Sequence, residues 1–346
     1  MNPLASLILP PLSAIYGVAT RARIRGYQRG WLPVSKLSAP VISVGNLTTG
    51  GTGKTPLVEW VCKTVVGETG KRVCVLTRGY GRVDPRSQVA VSDGNKLLAS
   101  ERQAGDEPFM LAQNLLGIAA VISNPDRLSA GEWAIKNLGT EVFVLDDGFQ
   151  HLRLARNLDI VTIDATNPWG GGTLLPYGRL REPRDGLSRA DCIVVTRSEQ
   201  VADQGSLIES LRRFAGTTPV FSSRMTTSGI RMLNGERVTD ESLRPQPVAA
   251  FCGVGNPESF FKQLRQEGYA PVFTRAFNDH HNYDQADLTQ LTKVAKDHDA
   301  HGLITTAKDA NKLTSLQIDL PCYVLEIKIS IDDESPLVKM IQTACL

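Results

Sequence analysis

Short apolar segments alternate with longer, helix-compatible stretches along the first 200 residues of the chain. Apolar runs of four or five residues between helical stretches are typical of parallel strands that are buried on both faces of a sheet. The pattern therefore predicts an α/β fold with a mostly parallel sheet and helices on both faces. The predicted strands are residues 40–44, 73–77, 119–123, 142–145, 160–163 and 192–196.

The pattern changes between residues 223 and 247. Two short polar strands are predicted around Asn234-Gly235, a dipeptide typical of β-hairpin turns, and two prolines follow. The sequence therefore predicts a main domain of residues 31–222, a hairpin linker of residues 223–247 and a smaller C-terminal α/β domain of residues 248–346.

The C-terminal domain repeats the alternation of strands and helices. Asn256 is suited to cap a helix, and Pro257 suits the first helical position. One face of a second predicted helix carries Leu288, Leu291, Val294 and Ala295. The predicted strands are residues 248–251, 272–274, 302–306 and 322–325.

Residues 1–30 form a separate region that is first apolar and then basic. It lacks the features of a secretory signal peptide, and Pro10-Pro11 is expected to break the apolar run before it could span a bilayer. A surface helix fits better, with helical spacing of Leu12, Ile15, Tyr16 and Ala19. Such a helix could contact a membrane, with Arg21, Arg23, Arg25 and Arg29 facing anionic lipid, or it could pack on its own domain.

The formal net charge is only +2, from 38 basic and 36 acidic residues, so no nucleic-acid partner is expected. The six cysteines are scattered without the close pairs of a zinc site or a redox dithiol. This distribution is typical of a reducing, cytosolic compartment.

The strongest motif is a glycine-rich loop between the first predicted strand and a helical stretch at 57–66. Backbone N–H groups in such a P-loop bind phosphate oxygens, and the following helix adds its positive N-terminal end. Lys54 is expected to reach the outer phosphates, and Thr55 to ligate Mg²⁺. Thr48 stands where the strict motif has glycine, so the match is to the Gly-Gly-x-Gly-Lys-Thr variant. The predicted nucleotide-binding residues are Asn46, Thr49, Gly50, Gly51, Thr52, Gly53, Lys54 and Thr55.

Two carboxylates follow the predicted strand 142–145. Because parallel α/β sheets bind ligands beyond the carboxyl ends of their strands, Asp146 and Asp147 are expected to lie beside the loop. Together with Thr55 they predict a Mg²⁺ site next to the phosphates. Taken alone, the same residues with Gly148 would also fit an ordinary turn.

Two further segments offer groups for catalysis. A kinase needs a base near the acceptor hydroxyl, and Asp106 lies at a predicted helix start where it would also suit a cap. His280 lies in a polar segment of the C-terminal domain, where an imidazole could orient a carboxylate or bind phosphate. Either residue alone also fits a purely structural or solvated position.

ATP is favoured over GTP because the guanine-reading pattern of Asn or Thr, Lys, any residue and Asp is not seen. Lys308-Asp309 lacks the intervening residue. A switch or partner-loading ATPase shares the loop and the acidic strand end, but typically carries a further lysine early in the loop. A soluble small-molecule kinase is a third alternative.

Taken together, these segments resemble the tetraacyldisaccharide 4'-kinase family, the lipid A 4'-kinases of Gram-negative bacteria, over nearly the whole chain. The matching segments are residues 44–56, 77–81, 105–108, 145–151, 174–176, 180–183 and 279–280. The family commonly has a glutamate before the Lys308-Asp309 pair, where this chain has Ala307.

The resemblance implies a P-loop NTPase-like kinase with ATP and Mg²⁺ as cofactors. Its substrate would be a lipid A precursor, a tetraacylated glucosamine disaccharide 1-phosphate, phosphorylated at the 4'-hydroxyl. The place would be the cytoplasmic face of the inner membrane, which makes residues 1–30 a membrane contact. A monomer is expected.

By the same resemblance, Asp106 is the catalytic base and acts with His280. Lys54 and Asp147 also serve catalysis, and Asp146 serves the metal with Asp147. The candidates for nucleotide or lipid head-group contacts are Arg78, Tyr80, Arg127, Gln150, Arg181 and Glu182.

Overall fold

The computed structural model describes residues 3–79 and 82–346, and it divides into two compact units. The first unit contains the chain up to Arg224 together with Ile331–Leu346, and the second contains Met225–Ser330. Tyr80 lies outside the described residues.

The first unit is built on a mostly parallel sheet. Its strands are β1 (Val41–Asn46), β2 (Val73–Thr77), β3 (Val89–Ser92), β4 (Ala119–Ser123), β5 (Val142–Asp146), β6 (Leu158–Asp164), β7 (Cys192–Thr196) and the start of β8 (Val220–Met232). Their order is β8-β7-β6-β1-β5-β2-β4-β3, and only β3 pairs antiparallel to its neighbour. β1 therefore lies between β6 and β5, which places the glycine-rich loop beside the two aspartates.

Six α-helices precede β8 in the described part of the first unit. They are α1 (Pro3–Gln28), α2 (Lys54–Thr69), α3 (Glu101–Ala104), α4 (Asp106–Asn114), α5 (Arg127–Leu138) and α6 (Gln204–Ala215). The Asp126 side chain accepts from the N–H groups of Leu128 and Ser129 at the start of α5. Gly70 ends α2 in the left-handed conformation that favours glycine.

α1 corrects one expectation about the N-terminal region. The helix runs from Pro3 to Gln28 and includes Pro10 and Pro11, so the two prolines do not interrupt it. Proline removes backbone hydrogen bonds from a helix interior, and here α1 continues despite that loss. No helix in the described part of the chain is long and apolar enough to cross a membrane.

The second unit has a smaller parallel sheet. Its elements are β9 (Arg237–Val238), β10 (Pro247–Cys252), β11 (Ala270–Ala276), β12 (Gly302–Thr306), β13 (Cys322–Ile331), α7 (Asp240–Leu243), α8 (Pro257–Gln266), α9 (Gln285–Asp297) and α10 (Ala307–Ala310). The strand order is β11-β10-β12-β13-β8. As predicted, Asn256 caps α8, Pro257 is in its first turn, and β8 and β9 form an antiparallel hairpin.

The hairpin and the end of the chain differ from the prediction. β8 is a single strand of 13 residues rather than a short polar one, because its residues pair within the sheet as well as with β9. The last helix, α11 (Ser335–Ala344), belongs to the first unit, where it contacts α2, β1 and β6. The structure thus assigns residues 331–346 to the first unit instead of extending the C-terminal domain to 346.

Candidate active site

The glycine-rich loop connects β1 to α2 and needs glycine at two of its positions. Gly50 has a φ of +110° and Gly53, the residue before α2, has a φ of +79°. A Cβ atom on Gly50 would lie 2.4 Å from Nη2 of Arg179. The loop conformation therefore disfavours side chains at positions 50 and 53.

Polar side chains within the loop fix its shape. The Asn46 amide donates to Thr48 O at 2.7 Å and to Thr52 Oγ1 at 2.9 Å, and Asn46 is fully buried. The Thr52 hydroxyl also bonds the hydroxyl of Thr162 on β6 at 2.9 Å. Asn46 and Thr52, both predicted to bind nucleotide, thus make the contacts that shape the loop.

A segment near residue 180 pairs with the start of the loop. Thr49 N donates to Arg179 O at 2.8 Å, and Arg181 N donates to Leu47 O at 2.7 Å. The segment thereby brings the Arg181 side chain to the end of β5. The predicted substrate residue Arg181 is thus part of the site through backbone pairing that the sequence motif did not reveal.

Asp147 lies between two cations. Its carboxylate is 3.5 Å from Lys54 Nζ and accepts from Arg181 Nη1 at 2.6 and 2.7 Å. Burial opposes its ionisation, but the charges of Lys54 and Arg181 outweigh burial and hold the pKa of Asp147 below its ordinary value. The structure therefore confirms that the loop lysine and the acidic strand end meet.

Asp146 has the opposite electrostatic character. Burial, followed by the negative charges of Asp147 and Glu107, raises the pKa of Asp146 to about 6. Thr77 on β2 donates to its Oδ2 at 3.0 Å. The site thus concentrates carboxylate oxygens in a buried position, where a bound cation would relieve their mutual repulsion.

Asp106 begins α4, as the sequence predicts, and is followed by Glu107. The Asp106 Oδ1 accepts from the Glu107 N–H at 2.9 Å, and Gly105 before it has a φ of +92°. The negative charge of Glu107, in the same turn, contributes to the raised pKa of Asp146. The catalytic role of Asp106 stays a prediction.

The remaining candidates for substrate contacts differ in their burial and location. Arg181 and Gln150 lie around the loop, and Gln150 donates to Asn46 O at 2.9 Å. Arg127 and Glu182 are instead buried, with 3% and 1% of their surface exposed. Arg78 follows β2 and is exposed.

Glu182 and Arg127 are buried side chains that contact or influence residues of the site. Glu182 forms an ion pair with Arg189 at 2.8 Å and accepts from the Gln150 amide at 2.8 Å. Arg127 donates to Asn124 O at 3.0 Å and lends positive charge to the surroundings of Asp147. Their geometry is that of groups that position other side chains.

His280 belongs to the second unit. It has a φ of +62°, its N–H donates to Gly253 O, and its Nε2 lies 3.3 Å from Lys308 Nζ. The buried Asp309 accepts from the Gly253 N–H and from the Tyr283 hydroxyl, both at 3.1 Å, and so orders this loop. Asp106 is in the first unit, and the joint action of Asp106 and His280 stays a prediction.

α1 reaches the site segment directly. Ser13 donates to Leu174 O and Tyr16 to Arg181 O, both at 2.7 Å. The predicted apolar stripe is therefore divided, since Tyr16 faces the protein while Leu12 and Ile15 are exposed. The large exposed apolar side chains of α1 are Leu7, Ile8, Leu12, Ile15 and Val18.

Several residues of the site have no motif that would have marked them. They lie at strand ends or in loops and reach the site only through tertiary pairing. They are Thr162, Asp164, Arg179, Arg189, Thr196 and Arg197. Thr162 and Thr196 lie within predicted strands, and Asp164 and Arg197 directly follow those strands, which was the one available signal for these four residues. Arg179 and Arg189 had no such signal.

Known proteins resemble this chain over almost its full length. A model of the tetraacyldisaccharide-1-P 4'-kinase family, LpxK, matches residues 5–346. A tetraacyldisaccharide 4'-kinase of Geobacter metallireducens is 40% identical over 342 residues, covering 97% of each chain. One of Desulfotalea psychrophila is 39% identical over 315 residues, covering 90% of this chain and 89% of the relative.

A solved structure gives the same result for the fold. LpxK of Aquifex aeolicus, crystallised in complex with ATP, superimposes with a TM-score of 0.78 at 32% identity. The match covers 99% of this chain and 100% of that chain. The α/β fold with a mostly parallel sheet is thereby confirmed.

Proposed function

Since the chain belongs to the tetraacyldisaccharide-1-P 4'-kinase family, we propose that the phosphate loop and the cluster of Lys54, Asp147 and Arg181 are its phosphoryl-transfer site. The chain is an ATP-dependent kinase of lipid A biosynthesis in Gram-negative bacteria. It transfers the γ-phosphate of ATP to the 4'-hydroxyl of a tetraacylated glucosamine disaccharide 1-phosphate.

One observation carries the assignment of the site. Lys54, at the N-terminal end of α2, lies 3.5 Å from Asp147, and Arg181 contacts the same carboxylate. Phosphoryl transfer depends mainly on positioning and on neutralising charge on the phosphate oxygens. Two cations beside the loop supply that neutralisation where the outer phosphates of ATP would lie.

The residues also fit a magnesium ion. Thr55 would offer a hydroxyl, and Asp146 and Asp147 carboxylates, which are the oxygen ligands that Mg²⁺ takes together with substrate phosphates. The raised pKa of Asp146 supports this fit, because it reports crowded negative charge in a buried place. When bound, Mg²⁺ neutralises charge between the β- and γ-phosphates.

The acceptor hydroxyl must lose a proton as it attacks. In the proposed reaction the bond from the γ-phosphorus to the bridging oxygen breaks, a bond to the 4'-oxygen forms, and the proton passes to Asp106. Asp106 begins α4 next to Glu107, whose charge reaches the aspartate pair. His280 would support Asp106, and Arg78, Arg127 and Gln150 would recognise or position nucleotide and head group.

The acceptor is a lipid, and α1 suits a membrane surface. Ile15 and Val18 are each 66% exposed, and four arginines follow between residues 21 and 29. Such a helix binds in the interfacial plane, with apolar side chains buried in lipid and arginines near anionic head groups. We therefore propose that the enzyme acts at the cytoplasmic face of the inner membrane, and the expectation that it is a monomer stays a prediction.

A labelling experiment tests this function. The protein is incubated with γ-labelled ATP, Mg²⁺ and tetraacyl disaccharide 1-phosphate in detergent, and lipid and inorganic phosphate are separated. Label on the lipid, lost in Lys54→Ala, is expected. Label only in inorganic phosphate would favour a switch ATPase, and equal transfer to a deacylated disaccharide would favour a soluble small-molecule kinase.

A further inference from the structure

Two consecutive carbonyl groups of the phosphate loop, those of Gly51 and Thr52, accept hydrogen bonds from residues at the end of β7. Thr196 Oγ1 donates to Thr52 O at 2.9 Å, and Arg197 Nη1 donates to Gly51 O at 2.9 Å. Thr196 is fully buried, and its hydroxyl also reaches Ile163 O at 3.4 Å. Consecutive residues of one strand end thus bind consecutive carbonyls of the loop.

Arg197 is itself fixed by its surroundings. Its guanidinium forms an ion pair with Asp164 at the end of β6 at 2.6 Å, and both side chains are largely buried. Asp164 Oδ1 in turn accepts from the N–H and the hydroxyl of Thr166. Arg197 has a φ of +58°, a conformation that residues other than glycine seldom adopt and that persists where surrounding contacts hold it.

The direction of these carbonyls has a consequence for phosphate binding. In a trans peptide unit the C=O of one residue and the N–H of the next point in opposite directions. With Thr52 O turned to Thr196, the Gly53 N–H points away from β7. Gly51 O likewise accepts from Arg197 on the side of β7. The N–H of the same peptide unit, that of Thr52, donates to Gly50 O at 3.0 Å.

We propose that Thr196 and Arg197 are positioning residues for ATP: Thr196 orients the peptide between residues 52 and 53 so that its N–H faces the nucleotide phosphates, and the two residues together hold the carbonyl oxygens of Gly51 and Thr52 away from those phosphates. This rests on the proposed role of the loop as the ATP site. Neither residue needs to touch the nucleotide. Without these contacts the loop carbonyls can rotate toward the phosphates, where their negative ends repel ATP.

Thr196→Val tests the idea with a matched control. Thr218 is also a threonine of the first unit, and its hydroxyl reaches Ala215 O at 2.8 Å and Ala190 O at 3.4 Å, away from the loop. Thr196→Val should weaken ATP binding about three- to tenfold in titration calorimetry, as expected for one lost hydrogen bond. Thr196→Ser should restore affinity, and Thr218→Val should leave it unchanged.

Kinetics separate positioning from general damage. In Thr196→Val the KM for ATP should rise with its Kd while the KM for the lipid acceptor stays constant. The double variant Arg197→Met with Asp164→Asn should show the same changes in KM. It removes the Asp164 carboxylate together with its cationic partner, so no buried charge is left unpaired. It serves as the test if Thr196→Val does not fold. Wild-type ATP affinity in both folded variants would overturn the inference alone. Absence of ATP binding by the wild type would overturn the proposed function as well.

Discussion

At the scale of single residues, the two aspartates that follow each other at the end of β5 have pKa values shifted in opposite directions. The pKa of Asp146 is raised to about 6 by burial and by its acidic neighbours. The pKa of Asp147 is lowered because Lys54 and Arg181 outweigh burial. Ionisation is thus favoured at Asp147 by its two cationic neighbours, and a bound cation would favour it at Asp146 as well.

Removing the proposed base should affect turnover and not ATP binding. Asp106→Ala is expected to lower kcat by roughly 10²- to 10⁴-fold, because the acceptor hydroxyl would lose its proton acceptor. Steady-state kinetics and ATP titration measure the two effects separately. Asp93→Ala, which removes another aspartate bonded to backbone N–H groups, is the control. Normal turnover in Asp106→Ala would exclude Asp106 from the mechanism.

His151 should make the first unit less stable in acid. Burial, then the charges of Arg127 and Arg156, lowers the pKa of His151 to about 4. Between the ordinary value near 6.5 and pH 4, the unfolded chain binds a proton that the folded chain does not. The free energy of unfolding should therefore decrease as the pH falls through this window. The decrease due to His151 should reach about 2 to 3 kcal/mol at pH 4.

Denaturation of His151→Gln checks the direction of this pH dependence. Urea unfolding at pH 7.5, 6 and 5 should show a smaller loss of stability in the variant than in the wild type, since all other groups titrate equally in both. His298→Gln, at an exposed position of the second unit, should behave as the wild type. Identical pH profiles for wild type and His151→Gln would contradict the expectation.

At the scale of elements, α1 has two sides with different surroundings. Ser13 and Tyr16 bind carbonyl groups of the segment that carries Arg181, while Leu12, Ile15 and Val18 stay exposed. A simple amphipathic reading of the sequence would place all apolar side chains on one side. The contacts show instead that one side of α1 is bound to the protein and another is exposed.

Vesicle binding tests the exposed side of α1. Leu12→Ser with Ile15→Ser should lower partitioning onto phosphatidylethanolamine and phosphatidylglycerol vesicles at least about tenfold, because each buried aliphatic side chain contributes on the order of 1.5 to 3 kcal/mol. Sedimentation with vesicles measures it. Val272→Ser with Ile327→Ser removes two exposed apolar side chains of the second unit and should have no effect. Unchanged partitioning of the α1 variant would argue against the membrane contact.

At the scale of the whole molecule, the first unit is closed by the last residues of the chain. α11 packs against α2 and the strands beside it, and Lys71 Nζ donates to Cys345 O at 2.5 Å. Leu337 and Ile341 are fully buried. The unit that holds the phosphate loop therefore depends on residues almost 300 positions away from it.

Truncating a buried side chain of α11 should destabilise the first unit. Ile341→Ala is expected to cost about 2 to 5 kcal/mol through lost burial and a cavity. All four tryptophans, at positions 31, 60, 133 and 169, belong to this unit, so urea unfolding followed by tryptophan fluorescence reports on it. Leu264→Ala, at a fully buried position of the second unit, should leave that transition in place. An unshifted transition in Ile341→Ala would mean that α11 contributes little.

Much of the fold could be predicted because its signals are local. Strands β2, β4, β7 and β12 match the predicted residues, since an apolar run between helical stretches fixes a buried strand without reference to distant residues. The Gly-Gly-x-Gly-Lys-Thr run likewise specifies its turn through backbone conformations that only glycine adopts readily. No local signal predicted that α1 continues through two prolines or that β8 is 13 residues long.

The sequence by itself determined the strand rhythm, the phosphate loop and the aspartates after β5, because periodicity, glycine placement and strand ends are properties of neighbouring residues. Only the tertiary structure decided that Arg181 reaches Asp147, that Glu182 is buried against Arg189, and that Thr196 and Arg197 bind the loop carbonyls. These contacts join residues 34 to 146 positions apart, apart from the nearby pair of Glu182 and Arg189. Their existence depends on which strands lie side by side, and so do the charges and burial that set the chemistry of the site.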